Sequence, residues 1–437
     1  MIYQNFLNKT FFINLVFSFI PISFILGNLI LNLNIALLII STFYIFRSKV
    51  LSFQLNLFDK LILFFFFYVF FVGLFNYLIT DAPIRNNEVL LKTILYLRFL
   101  VLYLVLIFLI NKKIINFKIF FYISSACVAF VSLDIIYQFH TGYDIFGFEG
   151  NARRLGGPFG DEKIAGSYLQ RFSFFFLFIF FIFSYFQKLS RNFNFILYLI
   201  TSFLIALSII YAGNRIPFFM FLITCFLIVF FKKGVKIQFL STIFLTIGLL
   251  ITLYQSNLEI KKHYGHFNTK VKSFLNSFSD ENLIKENNDN LNTFDEKNYT
   301  ISINNKKYRM STGHVKDFYS GYKTWQLKPF FGGGVKTFKY NCPKAFYNCT
   351  THPHNYYLEI LSDLGVVGLI ILSLIFILLI VRAISINENL IAPFVYVFIS
   401  EIFPLKSTGS FFTTSNSTFI FLFLAIIAGI AYKKKIE

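Results

Sequence analysis

Residues 355–381 read NYYLEILSDLGVVGLIILSLIFILLIV, and Leu364–Val381 contains no charged residue. As a helix rising about 1.5 Å per residue, this stretch exceeds the roughly 30 Å hydrocarbon thickness of a bilayer. A helix on the surface of a water-soluble core keeps a polar stripe, and this one has none past its first turns. The run reads as a membrane span, and the rest of the chain follows from it.

The same signature recurs throughout. Of 437 residues, 56% are hydrophobic and 14% charged, which excludes an ordinary water-soluble domain. Apolar runs place about twelve helices, near 11–27, 29–46, 61–79, 89–110, 115–137, 165–187, 193–212, 215–232, 236–254, 355–381, 389–405 and 416–432. The prediction is an all-α integral membrane protein with about 12 transmembrane helices. The N-terminus runs directly into such a pattern, so no cleavable signal peptide is expected. A net charge of +19 would suggest nucleic acid in a soluble protein. Here lysine and arginine gather in short connections between spans, as the positive-inside rule requires, and no nucleic-acid partner is expected.

That rule also predicts sidedness. Arg47, Lys49 and Lys60, then Lys112, Lys113 and Lys118, Lys188 with Arg191, Lys232, Lys233 and Lys236, and Lys433 to Lys435 all fall on one side of twelve spans. That side is cytoplasmic, with both termini. The division expected is 1–254 for nine helices including an outer loop at 138–164, 255–353 for one large outer loop, and 354–437 for three helices. A loop that long is normally functional. Its 280–305 stretch is polar enough to be flexible, whereas YSGYKTWQLKPFFGGGVKTF, 319–338, has the aromatics and glycines of a small packed subdomain.

Cys127 and Cys225 lie in apolar runs and read as small buried hydrophobes. Cys342 and Cys349 lie in the outer loop, where a disulfide is the favoured reading. Two free thiols, or a zinc site with His352, are the alternatives, and zinc wants more ligands at tighter spacing.

Positive charge on the outer side is the informative exception. EGNARRLGGPFGDEKIAGSYL, 149–169, puts Arg153 and Arg154 there, and IYAGNRIPFFMF, 210–221, puts Arg215 at the outer mouth of a span. An arginine at a span end can simply snorkel to the headgroups. Arg215, however, follows a Gly-Asn break and opens a helix, where unpaired backbone N–H groups also favour an anion. Guanidinium groups bind phosphoryl oxygens bidentately, so Arg215 with Arg154, and Arg153 as a possible substitute, form a candidate pyrophosphate site. Arg98 and Arg171 lie within apolar runs and must face the bundle or an aqueous cavity. Arg171 falls a turn or two below the outer surface, near the Arg154 loop.

His354 and His352 stand at the lip of the 355–381 span. A lone histidine there reads first as a helix cap in the headgroup layer. Beside cationic groups, though, an imidazole is held neutral and can accept a proton at pH 7.

HPHNYYLEILSDLGVVGL, 352–369, resembles the signature of the bacterial O-antigen ligase and O-antigen polymerase superfamily: a His-Asn pair, nine residues, then Gly-x-x-Gly, here His354-Asn355, Gly365 and Gly368. WQLKPFFGGGVKTF, 325–338, is similar to the family's Pro-x-x-Gly-x-Gly segment. RLGGPFGDEKIAGSYL, 154–169, is similar to its Arg-x-x-Gly-x-Phe stretch, and GNRIPFF, 213–219, to its small-polar-Arg turn. The likeness spans nearly the whole chain. Two departures blur ligase against polymerase: His314, in MSTGHVKDF, where members often carry arginine, and Asn214 where serine is commoner.

The resemblance implies a GT-C-like membrane glycosyltransferase in the bacterial inner membrane, with its active site facing the periplasm and no metal, nucleotide sugar or other cofactor. The implied donor is a glycan on undecaprenyl pyrophosphate. The acceptor is a sugar hydroxyl of lipid A–core in a ligase, or of another glycan in a polymerase. A ligase that puts glycans on a protein is a further variant. On this reading Arg215 and Arg154 hold the pyrophosphate and His354 is general base or orients the acceptor. Asn355 and Tyr356 orient sugar hydroxyls, Asp161 or Glu162 orients a cation, and His352 and Arg171 support the site. Grooves between Phe-rich helices take the polyprenyl tail, or the same rings simply face membrane lipid. A lipid-linked glycan flippase is the rival from another class. Transporters show internal repeats and discontinuous helices, and the sequence shows no clear repeat.

Overall fold

The computed structural model describes residues 2–50, 54–79, 83–150, 154–183, 185, 188–265, 294–295, 300–303, 306–309, 313–346, 349–386 and 388–432. The chain folds as a helical bundle: α1 Ile2–Ser18, α2 Ile20–Leu26, α3 Asn28–Phe46, α4 Leu57–Ile79, α5 Pro83–Tyr96, α6 Arg98–Asn111, α7 Phe117–Thr141, α8 Ala165–Ile182, α9 Arg191–Tyr211, α10 Arg215–Phe231 and α11 Lys236–Ser256. After the long loop come α12 Gly313–Trp325, α13 Phe338–Ala345, α14 Tyr356–Ile386, α15 Ala392–Glu401 and α16 Thr414–Ala431.

Among the described residues, nine helical stretches are long and apolar enough to cross a membrane. The protein is a multi-pass membrane protein. Each of the twelve expected runs coincides with a helix, and three of them form helices shorter than those nine. The 11–27 run is divided at Phe19, because Pro21 in the first turn of α2 lacks an N–H and clashes with the preceding turn. The 215–232 run forms α10, whose 17 residues stand at the lower limit of a span. The 389–405 run shrinks to α15, which starts at a proline, stops at Glu401 and is almost wholly buried. A ten-residue helix is about 15 Å long, half a bilayer. Lys433 to Lys435 lie outside the described residues, as does most of 280–305.

The core is built from phenylalanine. Phe421 of α16 packs against Phe65, Phe66 and Phe99, and Phe394 of α15 against Phe120, Phe175 and Phe423. Two of these six pairs, Phe394 with Phe175 and with Phe423, meet edge to face, an arrangement favoured by the ring quadrupole. α16 runs through the middle, with Phe419 to Ala428 essentially without solvent exposure. Much of the aromatic content is therefore interior packing.

α14 is interrupted. Gly365 has φ 70°, and the chain segment 328–334 docks into the break. Val366 N–H donates to the Pro329 carbonyl (2.9 Å), Gly334 N–H to that of Asp363 (2.8 Å) and Gly333 N–H to that of Ser362 (3.0 Å). The Tyr68 hydroxyl closes the remaining Leu364 carbonyl at 2.6 Å. A Cβ on Gly365 would lie 2.1 Å from the Phe330 oxygen, and one on Gly332 2.4 Å from the Asp363 carbonyl carbon. Main chain meets main chain here, so both must be glycine. The interruption resembles those of transporters, but the chain's own carbonyls fill it.

The long loop begins with a helical turn pair at 258–265 and contains a small antiparallel meander, β1 Phe294–Asp295, β2 Thr300–Ile303 and β3 Lys306–Arg309. Its last part is ordered on the bundle: α12 packs along α14 and α13 against α12. Cys342 and Cys349 are joined in a disulfide with Cα atoms 6.0 Å apart, buried with Phe338 and Phe346 against Tyr319. The two sulfurs are thus taken, and no zinc site with His352 remains open to them. The link sits just ahead of the histidines.

Candidate active site

His354 occupies the turn into α14. Its φ is 52°, in the left-handed region, a cost that persists only where the surroundings enforce it. They do so on three sides. Thr408 N–H donates to the His354 carbonyl (2.8 Å), and His354 Nδ1 lies 3.3 Å from the Thr408 carbonyl. A carbonyl only accepts, so Nδ1 is the donor in this contact. Nε2 faces Asp317 Oδ2 of α12 at 3.9 Å, and the ring packs between His314 and His352, with centroids 5.3 and 4.2 Å away. A proton taken by Nε2 would meet a carboxylate.

Asn355 does a different job from the one expected. Its Oδ1 accepts from Tyr357 N–H (3.0 Å) and Leu358 N–H (3.2 Å), capping α14, while its Nδ2 donates to the Pro404 carbonyl (2.7 Å). The residue is buried and both ends of its amide are occupied, which removes it from sugar orientation.

Beside His354 lies a cavity of about 340 Å³. One wall is apolar: Phe24 and Leu31, either side of the α2–α3 break at Gly27, with Phe172 of α8. The other is the hydroxyl-rich loop from Lys406 to Asn416, with His352 and Tyr356. Between them sits a buried ionic cluster. Arg171 donates through Nε (3.1 Å) and Nη2 (2.6 Å) to the two oxygens of Glu401, and through Nη2 to Asn416 Oδ1 (2.8 Å). Lys406 Nζ donates to Glu401 Oε2 (2.6 Å) and Gln170 Oε1 (3.3 Å), and the Tyr356 hydroxyl to Glu401 Oε1 (2.8 Å). One carboxylate thus serves two cations, leaving the cluster with a net charge of +1. Burial pulls the Lys406 ammonium below its ordinary pKa, and Glu401 opposes that shift. Burial, then the neighbouring His354, lowers His352 to about 4, so its ring is neutral at pH 7. Glu359 of α14 fixes the loop by accepting from Ser410 Oγ (2.6 Å) and from Phe411 N–H.

The expected convergence of His354 and Arg215 on one cavity is not what the structure has. Neither lies on the wall of the 340 Å³ cavity, which His354 borders through His352 and Thr408. Arg154 lines a second cavity of about 210 Å³ with Gln138, Glu259 and His263. Arg215 is drawn toward that side because its Nη2 donates to the His263 carbonyl, while His263 Nε2 binds that of Gly213 (2.7 Å). The loop 154–164 connects the two: Leu155 lines the smaller cavity, Glu162 and Ile164 the larger. Asn214 pins it, accepting from Gly166 N–H (3.2 Å) and donating to the Lys163 carbonyl (3.0 Å), which gives this departure from serine a role. Asp161 lines neither cavity, and Arg153 lies outside the described residues. Arg98 donates to Thr414 Oγ1 (3.1 Å) and stacks over Phe99, a structural position in the bundle.

Residues 200–373 match the family model described as O-antigen ligase. The match covers 174 of the 437 residues, and over that segment the chain is similar to the O-antigen ligase family. No curated protein matches the chain. The match supports, in general terms, a glycosyltransferase type of activity on lipid-linked glycans, of ligase or polymerase kind. The segment matched to the O-antigen ligase model holds Arg215, Asp317, His354 and the glycine docking at Gly332 and Gly365. Arg171, Glu401 and Lys406 lie outside it. Sequence reasoning missed Asp317, Glu401 and Lys406. One signal was available: an intramembrane arginine needs an anion, and Glu401 is among the few acids of the C-terminal helices.

Proposed function

We propose that this protein transfers a glycan from undecaprenyl pyrophosphate to a sugar hydroxyl of lipid A–core at the periplasmic face of the inner membrane. The acceptor oxygen attacks the anomeric carbon, the bond from that carbon to the diphosphate oxygen breaks, and undecaprenyl diphosphate leaves. His354 Nε2 takes the hydroxyl proton, and Asp317 stabilises the imidazolium formed. Arg215 and Arg154 contribute cationic charge toward the leaving group from the adjoining cavity, across the 154–164 loop. The observation that carries this reading is the single-oriented imidazole of His354, set beside a carboxylate at the edge of a cavity whose walls are apolar on one side and cationic on the other. Such a cavity suits a lipid-borne diphosphate meeting a hydroxyl from water.

The test is a lipopolysaccharide gel from a strain lacking the gene. Core without any chain supports the ligase, and core carrying a single repeat would assign a polymerase instead. Unchanged lipopolysaccharide contradicts both. Complementation with His354→Ala or Arg215→Ala, inserted at wild-type level, should not restore the ladder.

A further inference from the structure

The transfer reading uses His354, Asp317, Arg154 and Arg215. It leaves unexplained why two cations share one buried carboxylate on the wall of the larger cavity. A structural ion pair needs one cation. Side-chain exposure is 1% for Glu401, 13% for Arg171 and 8% for Lys406, so the extra charge is held away from bulk water. Such a charge is costly unless something anionic joins it. Glu401 and Asn416 use three of the five N–H donors of Arg171, and Glu401 and Gln170 use two of the three on Lys406.

Two further polar atoms point the same way. Thr408 Oγ1 and His352 Nε2 belong to residues lining the cavity, are buried, and have no hydrogen-bond partner among the described residues. Buried polar atoms of this kind are normally satisfied, and a ligand atom would satisfy them. The opposite wall, at Phe24, Leu31 and Phe172, is hydrocarbon. An anion that also needs an apolar wall is the phosphorylated head of a lipid, rather than a soluble phosphate.

We propose that Arg171 and Lys406, held by Glu401 and joined by Thr408, form a diphosphate subsite for the polyprenyl donor, distinct from Arg215 and Arg154. The inference rests on the transfer reading only for the identity of the lipid. Arg171 supplies planar donors and Lys406 a point charge, and the open end of the cavity faces the loop that fixes His354.

The test is a titration of the purified full-length protein in detergent with farnesyl diphosphate, with farnesol and inorganic pyrophosphate as separate probes. Lys406→Met should weaken farnesyl diphosphate by about tenfold or more, the scale of one hydrogen bond to a charged group, and Lys406→Arg by no more than about threefold. Farnesol binding should not change. Pyrophosphate alone should bind more weakly than farnesyl diphosphate; equal binding would overturn the lipid assignment. Should Lys406→Met fail to fold, Thr408→Val decides, since it removes a hydroxyl that makes no bond in the structure. A several-fold loss at unchanged melting temperature supports the subsite, and unchanged affinity overturns it. Normal lipopolysaccharide in the deletion strain would sink the transfer reading without touching this result. A wild-type titration by Lys406→Met would sink the subsite without touching the transfer.

Discussion

Glu401→Gln is the most incisive perturbation of the buried cluster. The carboxylate accepts four hydrogen bonds, two from Arg171 and one each from Lys406 and Tyr356. An amide keeps the shape but removes the charge, raising the cluster from +1 to +2. Arg171 spans both carboxylate oxygens and Lys406 shares Oε2 with it, so the two cations stand roughly 5 Å apart, and at an effective dielectric constant of about 20 they repel by about 3 kcal/mol. With the weakened hydrogen bonds, the expected loss is about 3–5 kcal/mol, the range for breaking a buried ion pair. The assay is equilibrium unfolding in mixed micelles, titrating a denaturing detergent. A double-mutant cycle isolates the electrostatic part. Lys406→Met removes the second cation, so Glu401→Gln should cost about 2–3 kcal/mol less in that background, a coupling of the size seen for residues in one network. Additive losses, or a loss below about 1 kcal/mol for Glu401→Gln alone, would refute the idea that one carboxylate neutralises two buried cations.

Gly365→Ala and Gly332→Ala should each abolish stable docking of 328–334, because the new Cβ would fall 2.1 and 2.4 Å from main-chain atoms at positive φ; loss of the folded peak in size-exclusion chromatography is the measure. His352 should make the protein acid-labile. Its folded pKa lies at about 4 against 6.5. The unfolded chain therefore binds a proton the folded one refuses, and stability falls as pH drops from about 6.5 to 4, by at most about 3 kcal/mol; His352→Gln should flatten a melting curve measured against pH in that window. Replacing Cys342 and Cys349 with serine should cost about 2–3 kcal/mol on the loop-entropy model and expose the turn before His354 to protease.

The sequence made the bundle legible because spans are written in runs of contiguous residues. Every expected apolar run coincides with a helix, including α10, found within one residue of its expected bounds, and α15, which is shorter than expected. Hydropathy does not register where a run stops bridging the membrane, and it could not see that Glu401 ends α15 as a charge receptor. The glycines of 332–334 and of Gly365 and Gly368 were visible as a pattern, but their reason, one main chain seated in the break of another, needs coordinates. The cluster at Arg171 was only half legible. Its partners are 230 and 235 positions away, and Lys406 opens a stretch, KSTGSFFTTSNS, whose small hydroxyl residues form no motif. Asp317 was hidden in a loop read for its histidine. The contiguous His354-Asn355 pair stands out in sequence, whereas a cluster assembled across three helices does not.

Transfer by the purified protein is the most direct measurement. Reconstituted in liposomes with undecaprenyl-pyrophosphate-linked glycan and lipid A–core, the wild type should convert acceptor to a slower-migrating glycolipid and release undecaprenyl diphosphate. His354→Ala should run at least about a hundredfold slower, the lower bound for losing a general base. A His354→Ala protein that is folded and transfers at near wild-type rate would contradict the account.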